Sequence, residues 1–152
     1  MYKVTVYILL SIITLLSCKT NIYDDIKNVQ NNKLTYNDTI SFDINITTIN
    51  KAYNVYINIE NTDNYKYSNL FLFVYITSPN NNTIIDTIDI FMADYNGKWV
   101  GKSEGENYFG NYLFKQAVVF PKKGIYKTSI VQGMRDDTLK GISKIGLSVK
   151  EL

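Results

Sequence analysis

Polar and apolar residues alternate one by one through much of this chain. Ile40, Phe42, Ile44 and Ile46 are separated by Ser41, Asp43 and Asn45. That period of two puts the apolar set on one face of a strand and leaves the other face wet. Tyr53, Val55, Ile57 and Ile59 alternate with Asn54, Tyr56 and Asn58 in the same way, as do Ile145, Leu147 and Val149 with Gly146 and Ser148. The run Leu70-Phe71-Leu72-Phe73-Val74-Tyr75-Ile76 is apolar throughout, which predicts a central strand covered on both faces. Around Ile84 to Met92 a further strand should point Ile88, Ile90 and Met92 inward and Asp89 outward. Strands are also expected from Tyr112 to Phe120 and from Ile125 to Gln132.

Turn formers punctuate these runs. Ser78-Pro79-Asn80-Asn81-Asn82 ends the apolar strand, Asn96-Gly97 marks a hairpin before Trp99-Val100, and Pro121-Lys122-Lys123-Gly124 reads as a tight turn. Residues 102–111 are Gly-rich and polar and read as a surface loop. Residues 133–141 hold one large aliphatic, Leu139, and are expected to carry a helical turn. No 3.6-residue stripe is sustained beyond the first 17 residues, and no segment repeats. About eight strands at this spacing predict an all-β fold, a single antiparallel β-sandwich of jelly-roll or Ig-like type.

The amino-terminal end breaks the pattern. Val4 to Leu16 is an apolar run behind Lys3. It is too short to cross a bilayer, which takes about 20 residues, and has the build of a secretory signal peptide. It ends Leu15-Leu16-Ser17-Cys18, which looks like the lipobox cut by the lipoprotein signal peptidase. In that chemistry the thiol receives a diacylglyceryl group and the cut leaves Cys18 first, ready for N-acylation. Cys18 is the only cysteine, so an internal disulfide is excluded and an attachment point is expected. The predicted organisation is a lipoprotein signal peptide over 1–17, a polar lipidated tether over 18–37 and a sandwich domain over 38–152.

Charge narrows the partners. Removing Lys3 with the signal peptide leaves 15 basic against 14 acidic residues, or +1. Nothing in that balance points to a nucleic-acid partner. The chain contains no histidine, which rules out Ser-His-Asp and Cys-His nucleophile systems and any His-ligated metal. Enzyme chemistry would have to come from carboxylates, Lys or Tyr.

The remaining constellations are weak. Asp94-Tyr95-Asn96-Gly97 starts like a calcium loop but meets Lys98 at the next ligand position, so a hairpin turn is the better reading. Glu104 and Glu106 sit two residues apart in the expected loop without the fixed separation that glycoside hydrolysis needs. Arg135 with Asp136-Asp137 reads as a solvated loop with a local ion pair. Trp99, with Tyr95, Tyr108 and Tyr112, could close the end of the core or form an aromatic platform for a sugar or a protein. No metal site, cofactor or small-molecule substrate is expected.

Several stretches together resemble one family. They are Tyr65-Lys66-Tyr67-Ser68-Asn69-Leu70-Phe71-Leu72-Phe73, Asp86-Thr87, Asp94 with Gly97-Lys98-Trp99-Val100-Gly101, Phe120-Pro121, and Gly124-Ile125-Tyr126. Gln132-Gly133-Met134-Arg135, Leu139-Lys140-Gly141-Ile142 and Ile145-Gly146-Leu147 follow. In this order they look like the gliding motility lipoprotein GldH family, and the lipobox and Tyr23-Asp24 agree. Lys66 stands where the family pattern has proline, and Leu34 where an aromatic is usual. The resemblance implies a non-enzymatic lipoprotein held at the outer membrane through Cys18 and facing the periplasm. It also implies service to a gliding machinery coupled to type IX protein secretion, with other envelope proteins of that machinery as partners. Trp99, Arg135 and Tyr108 are the candidate contact residues, because exposed aromatics and arginines anchor interfaces. The alternative from another class is an envelope carbohydrate-binding sandwich that stacks sugar on Trp99.

Overall fold

The computed structural model describes residues 21–152, so the expected signal peptide and the Cys18 attachment point lie outside the described residues. The strands are β1 (Asn21–Asn28), β2 (Lys33–Thr35), β3 (Ile40–Ile46), β4 (Ala52–Thr62), β5 (Asn69–Thr77) and β6 (Thr83–Phe91). They continue with β7 (Lys102–Glu104), β8 (Asn107–Val119), β9 (Gly124–Gln132), β10 (Thr138–Lys140) and β11 (Ile142–Glu151). One sheet runs β1-β11-β4-β8-β7, the second runs β3-β9-β5-β6, and β10 pairs with β2 in a small third ladder. Every named pairing is antiparallel.

The period-two pattern builds the core. Ile57, Ile59, Leu147 and Val149 of the first sheet meet Phe42, Leu72, Val74 and Ile130 of the second in one buried cluster. The fold is an antiparallel β-sandwich. Each such side chain contributes about 1.5–3 kcal/mol on full burial, so the alternation itself selects the register of each strand. Leu34 and Leu139, opposite one another across the β2–β10 ladder, are each 1% exposed and close the core at one end.

Four expectations are corrected. The expected tether over residues 18–37 is not slack from Asn21 onward, because β1 pairs with β11 from Asn21↔Lys150 to Asn28↔Lys144. An edge strand with mostly exposed side chains needs little apolar alternation, so its pattern is faint. The run Leu70–Ile76 is internal to its sheet but covered on one face only. Leu70, Leu72 and Val74 are fully buried, whereas Phe73 is 36% exposed and packs edge-on against Phe71 outside. The expected loop over 102–111 is a hairpin, β7 with β8, turned by Gly105 at positive φ. Residues 133–141 carry β10 rather than a helical turn, since backbone pairing with β2 captures them.

The sandwich has two distinct ends. At the first, which we call proximal, Asn21 enters β1, the connections 47–51 and 120–123 join the two sheets, and 78–82 turns the β5–β6 hairpin. At the other, distal, end lie 63–68, 92–101, the β7–β8 turn and 133–137. Gly141 sits at the distal end with φ +88, and a Cβ there would lie 2.3 Å from the backbone nitrogen of Tyr65. Only glycine fits both that left-handed conformation and that approach.

Candidate contact surface at the distal end

Trp99 is set by a short hairpin. Asp94 Oδ1 accepts from the backbone N–H of Asn96 and of Lys98, both at 2.9 Å, and Gly97 takes φ +79. The chain then returns so that Trp99 bridges Ala93. The Asp94 carboxylate is thereby committed to its own turn, which agrees with the hairpin reading and not with a calcium loop.

The indole is half-buried and packs against the core, with Tyr65 at 6.3 Å and Tyr108 at 5.9 Å between ring centroids. Tyr67 extends the row by packing edge-on to Tyr65 at 5.9 Å. Trp99 Nε1 donates to Asp63 Oδ1 at 2.8 Å. Loss of solvent and the Asp63 carboxylate beside it raise the Tyr108 hydroxyl above its ordinary pKa. The structure thus joins Trp99 and Tyr108, with Asp63, in one cluster. Tyr112 is half-buried against the core, and Tyr95 is 97% exposed at the hairpin tip.

Arg135 lies at the same end in a separate hollow with Tyr67, Gly133 and Met134. Its loop is shaped by buried Gln132, whose Nε2 donates to the Asp136 carbonyl at 2.8 Å and whose Oε1 accepts from Met134 N–H at 2.7 Å. The expected local ion pair is replaced, because Asp136 pairs with Lys66 at 2.7 Å. That contact holds the Asp136 carboxyl below its ordinary pKa. Lys66, the departure from the family pattern, is therefore used in binding two distal loops together.

Sequence reasoning missed Glu60. Its carboxylate is 5% exposed and receives Lys144 Nζ at 2.9 Å, Ser143 Oγ at 2.8 Å and Asn107 Nδ2 at 2.8 Å. Burial would raise its pKa, but the hydrogen bonds from Lys144, Ser143 and Asn107 and the Lys144 charge outweigh burial and hold it below the ordinary 4.5. Its place in an alternating strand as a polar residue gave no sign that the outer position was enclosed. Every donor it meets is accounted for by the fold, so the arrangement is a structural lock and not a poised acid. Glu104 and Glu106 are both exposed, on β7 and in the following turn. Among the described residues no group of three or more carboxylates, histidines or cysteines could hold a metal ion.

A different feature lies toward the proximal end. An apolar groove of about 290 Å3 opens between β6 and β8, with Ile44, Ile76, Ile84, Phe114, Val118 and Phe120 along it. Across it, Lys115 of β8 pairs with Asp86 of β6.

The described residues thus form an antiparallel β-sandwich that carries an aromatic cluster at its distal end. The family model described as GldH lipoprotein matches residues 21–149, and the chain belongs to that family. It is 32% identical over 149 residues, 93% of this chain and 91% of the relative, to the gliding motility lipoprotein GldH homolog of Christiangramia forsetii. To the gliding motility lipoprotein GldH of Flavobacterium johnsoniae it is 30% identical over 152 residues, 95% of this chain and 94% of that protein. Among solved structures, the infectious bursal disease virus VP2 subviral particle aligns with a TM-score of 0.38 and 15% identity, over 88% of this chain and 34% of that one. That likeness is too loose to bear on function.

Proposed function

We propose that this protein is a non-enzymatic gliding motility lipoprotein, an accessory structural part of a machinery coupled to type IX protein secretion. In this reading Cys18 carries diacylglyceryl and N-acyl groups, anchors the chain in the outer membrane, and leaves the sandwich facing the periplasm. The single observation that carries the reading is the family match across residues 21–149, the whole described sandwich up to its last strand.

The distal end is the contact surface for the envelope partners. It presents Trp99, Tyr108 and Arg135 at the end opposite the one where the chain enters. Two tyrosine rings already contact the indole and its N–H is bonded to Asp63, which favours a packed protein contact over the sugar-stacking alternative.

The deciding experiment is the secreted proteome of a deletion strain beside its complemented parent, with spreading on a surface scored in parallel. Loss of type IX cargo and of spreading, restored by the intact gene but not by a Trp99→Ala, Arg135→Ala double variant, is the expected result. Unchanged secretion and unchanged spreading would overturn the reading.

A further inference from the structure

We propose that the proximal end of the sandwich lies directly on an anionic phospholipid surface, with Ile49, Val119 and Ile125 at the acyl boundary and Lys122 and Lys123 on the phosphates. This rests on the lipid-anchor reading of Cys18 and adds to it a docking face and an orientation.

The first observation is the shortness of the free chain. β1 begins at Asn21 and is paired from its first residue to Lys150. Only Lys19 and Thr20 separate Cys18 from that strand. Three residue steps span at most about 10 Å. An acylated Cys18 therefore holds Asn21 within about that distance of the headgroups, and the end of the sandwich that contains Asn21 has no room to float away. The ladder Asn21↔Lys150↔Asn54 continues to β8, where Ala117 N–H bonds Asn54 Oδ1 at 3.0 Å. Three strand spacings of about 4.8 Å put Ala117, just before the 120–123 connection, about 15 Å sideways of Asn21.

The second observation is what that end displays. Ile49 is 37%, Val119 54% and Ile125 52% exposed, with Ile84 and Ile85 at 59% and 64% beside them at the start of β6. Exposed aliphatics gathered at one end and rimmed by cations fit a lipid interface better than water. Lys122 and Lys123 are exposed on a turn held by Tyr126, whose hydroxyl donates to the Lys122 carbonyl at 3.1 Å. Tyr126 is itself fixed edge-on to Phe120 at 4.9 Å. Among the described residues neither lysine has a carboxylate partner, while Glu151 is paired with Lys51 at 2.5 Å and Asp86, next to Ile85, is paired with Lys115. The distal loops by contrast mix Asp63, Asp94, Glu104, Glu106 and Asp136 with their lysines. An anionic surface thus complements the unpaired lysines of the proximal turn better than the mixed charges of the distal loops.

The test uses the acylated full chain in vesicles of phosphatidylethanolamine and phosphatidylglycerol carrying brominated acyl chains. One variant is Ile125→Cys, labelled with a fluorophore, and its counterpart is Tyr95→Cys at the distal tip, each adding one free thiol at an exposed position. The Ile125→Cys label should be quenched at least about three-fold more than the Tyr95→Cys label, and Lys122→Glu with Lys123→Glu should lower that quenching when phosphatidylglycerol is present. Equal quenching of the two labels on protein that floats with vesicles and shows acyl mass on its first peptide would overturn the docking face and leave the anchor standing. A first peptide without acyl mass, on protein that stays out of the vesicle fraction, would overturn both.

Discussion

The two ends of this sandwich are built on opposite principles. At the distal end, buried polar groups and close backbone approaches lock the loops together: Glu60 holds Ser143, Lys144 and Asn107, Gln132 clamps its own loop, and Gly141 lets the chain pass Tyr65. The proximal end relies on short connections, ring packing of Phe120 on Tyr126, and an exposed ion pair between Lys51 and Glu151. Most of the stretches by which the chain resembles its family lie at the distal end, among them Tyr65–Asn69, Gly97–Gly101, Gln132–Arg135 and Leu139–Ile142. Local conformation is therefore specified most tightly at the end farthest from the lipid attachment point, where partner recognition is proposed. The proximal end needs only the right charge and apolarity.

The contrast is broken most severely at Gly141. Its φ of +88, and the 2.3 Å that would separate an added methyl carbon from the Tyr65 nitrogen, leave alanine no position without moving backbone. Its carbonyl accepts Thr62 N–H and its N–H donates to Asn32, both at 2.8 Å, so that movement strains two neighbouring segments. Gly141→Ala should cost about 3 kcal/mol or more, read as a lower midpoint in urea. A midpoint within error of the parent would show that the distal lock is loose.

Next comes Glu60. Glu60→Gln leaves the Lys144 ammonium facing a neutral amide and should cost about 2 kcal/mol, between the values for exposed and fully buried pairs. The sign with pH follows from the depressed folded pKa. Stability from this group is present above the ordinary 4.5 and is lost as pH falls through the lower folded value. The parent should therefore lose stability on acidification through that window, and Glu60→Gln should lose less. Parallel acid profiles for the two proteins would remove Glu60 from the account.

How much of this was legible beforehand depends on what each residue has to do. The strands β3, β4, β5, β6, β9 and β11 announce themselves because one face is buried, and burial writes alternation into the chain. β1 reads as tether because an edge strand held mainly by backbone bonds leaves little trace in side-chain type, and β2 because three residues around one buried side chain, Leu34, are too few to show alternation. The outer aromatics Phe71 and Phe73 misled in the other direction, since a strand apolar on both faces need not be covered on both. Of the candidate site, Trp99 was visible as the single tryptophan beside a hairpin signal, and its contact with Tyr108 follows from the hairpin of β7 and β8 lying alongside. Asp63 as its partner was not legible, because 36 residues separate the two and only the tertiary fold brings them together.

A smaller effect tests the aromatic cluster. Trp99→Phe keeps a ring against Tyr65 and Tyr108 but removes the Nε1 bond to Asp63. The expected loss is about 1 kcal/mol, the usual net worth of one hydrogen bond, followed by far-UV circular dichroism since the indole probe is gone. Asp63→Ala should cost a similar amount, and the double variant little more than either alone. Fully additive losses would mean that the two side chains act independently.

The smallest effect belongs to the proximal end. Lys51 and Glu151 meet at 2.5 Å, yet their side chains are 46% and 34% exposed. An exposed pair trades weak attraction in water against the entropy of holding two long side chains still. The hydrogen bond to Glu151 raises the Lys51 pKa, so any stability it brings is present at neutral pH and lost only as pH rises through the folded value. Lys51→Met should leave the urea midpoint unchanged at neutral pH and in high salt alike, because solvent and counterions already screen the pair. A clear drop at low salt that vanishes at high salt would show that electrostatics organise the proximal end as they do the distal one, and the contrast between the two would narrow to their aromatic content.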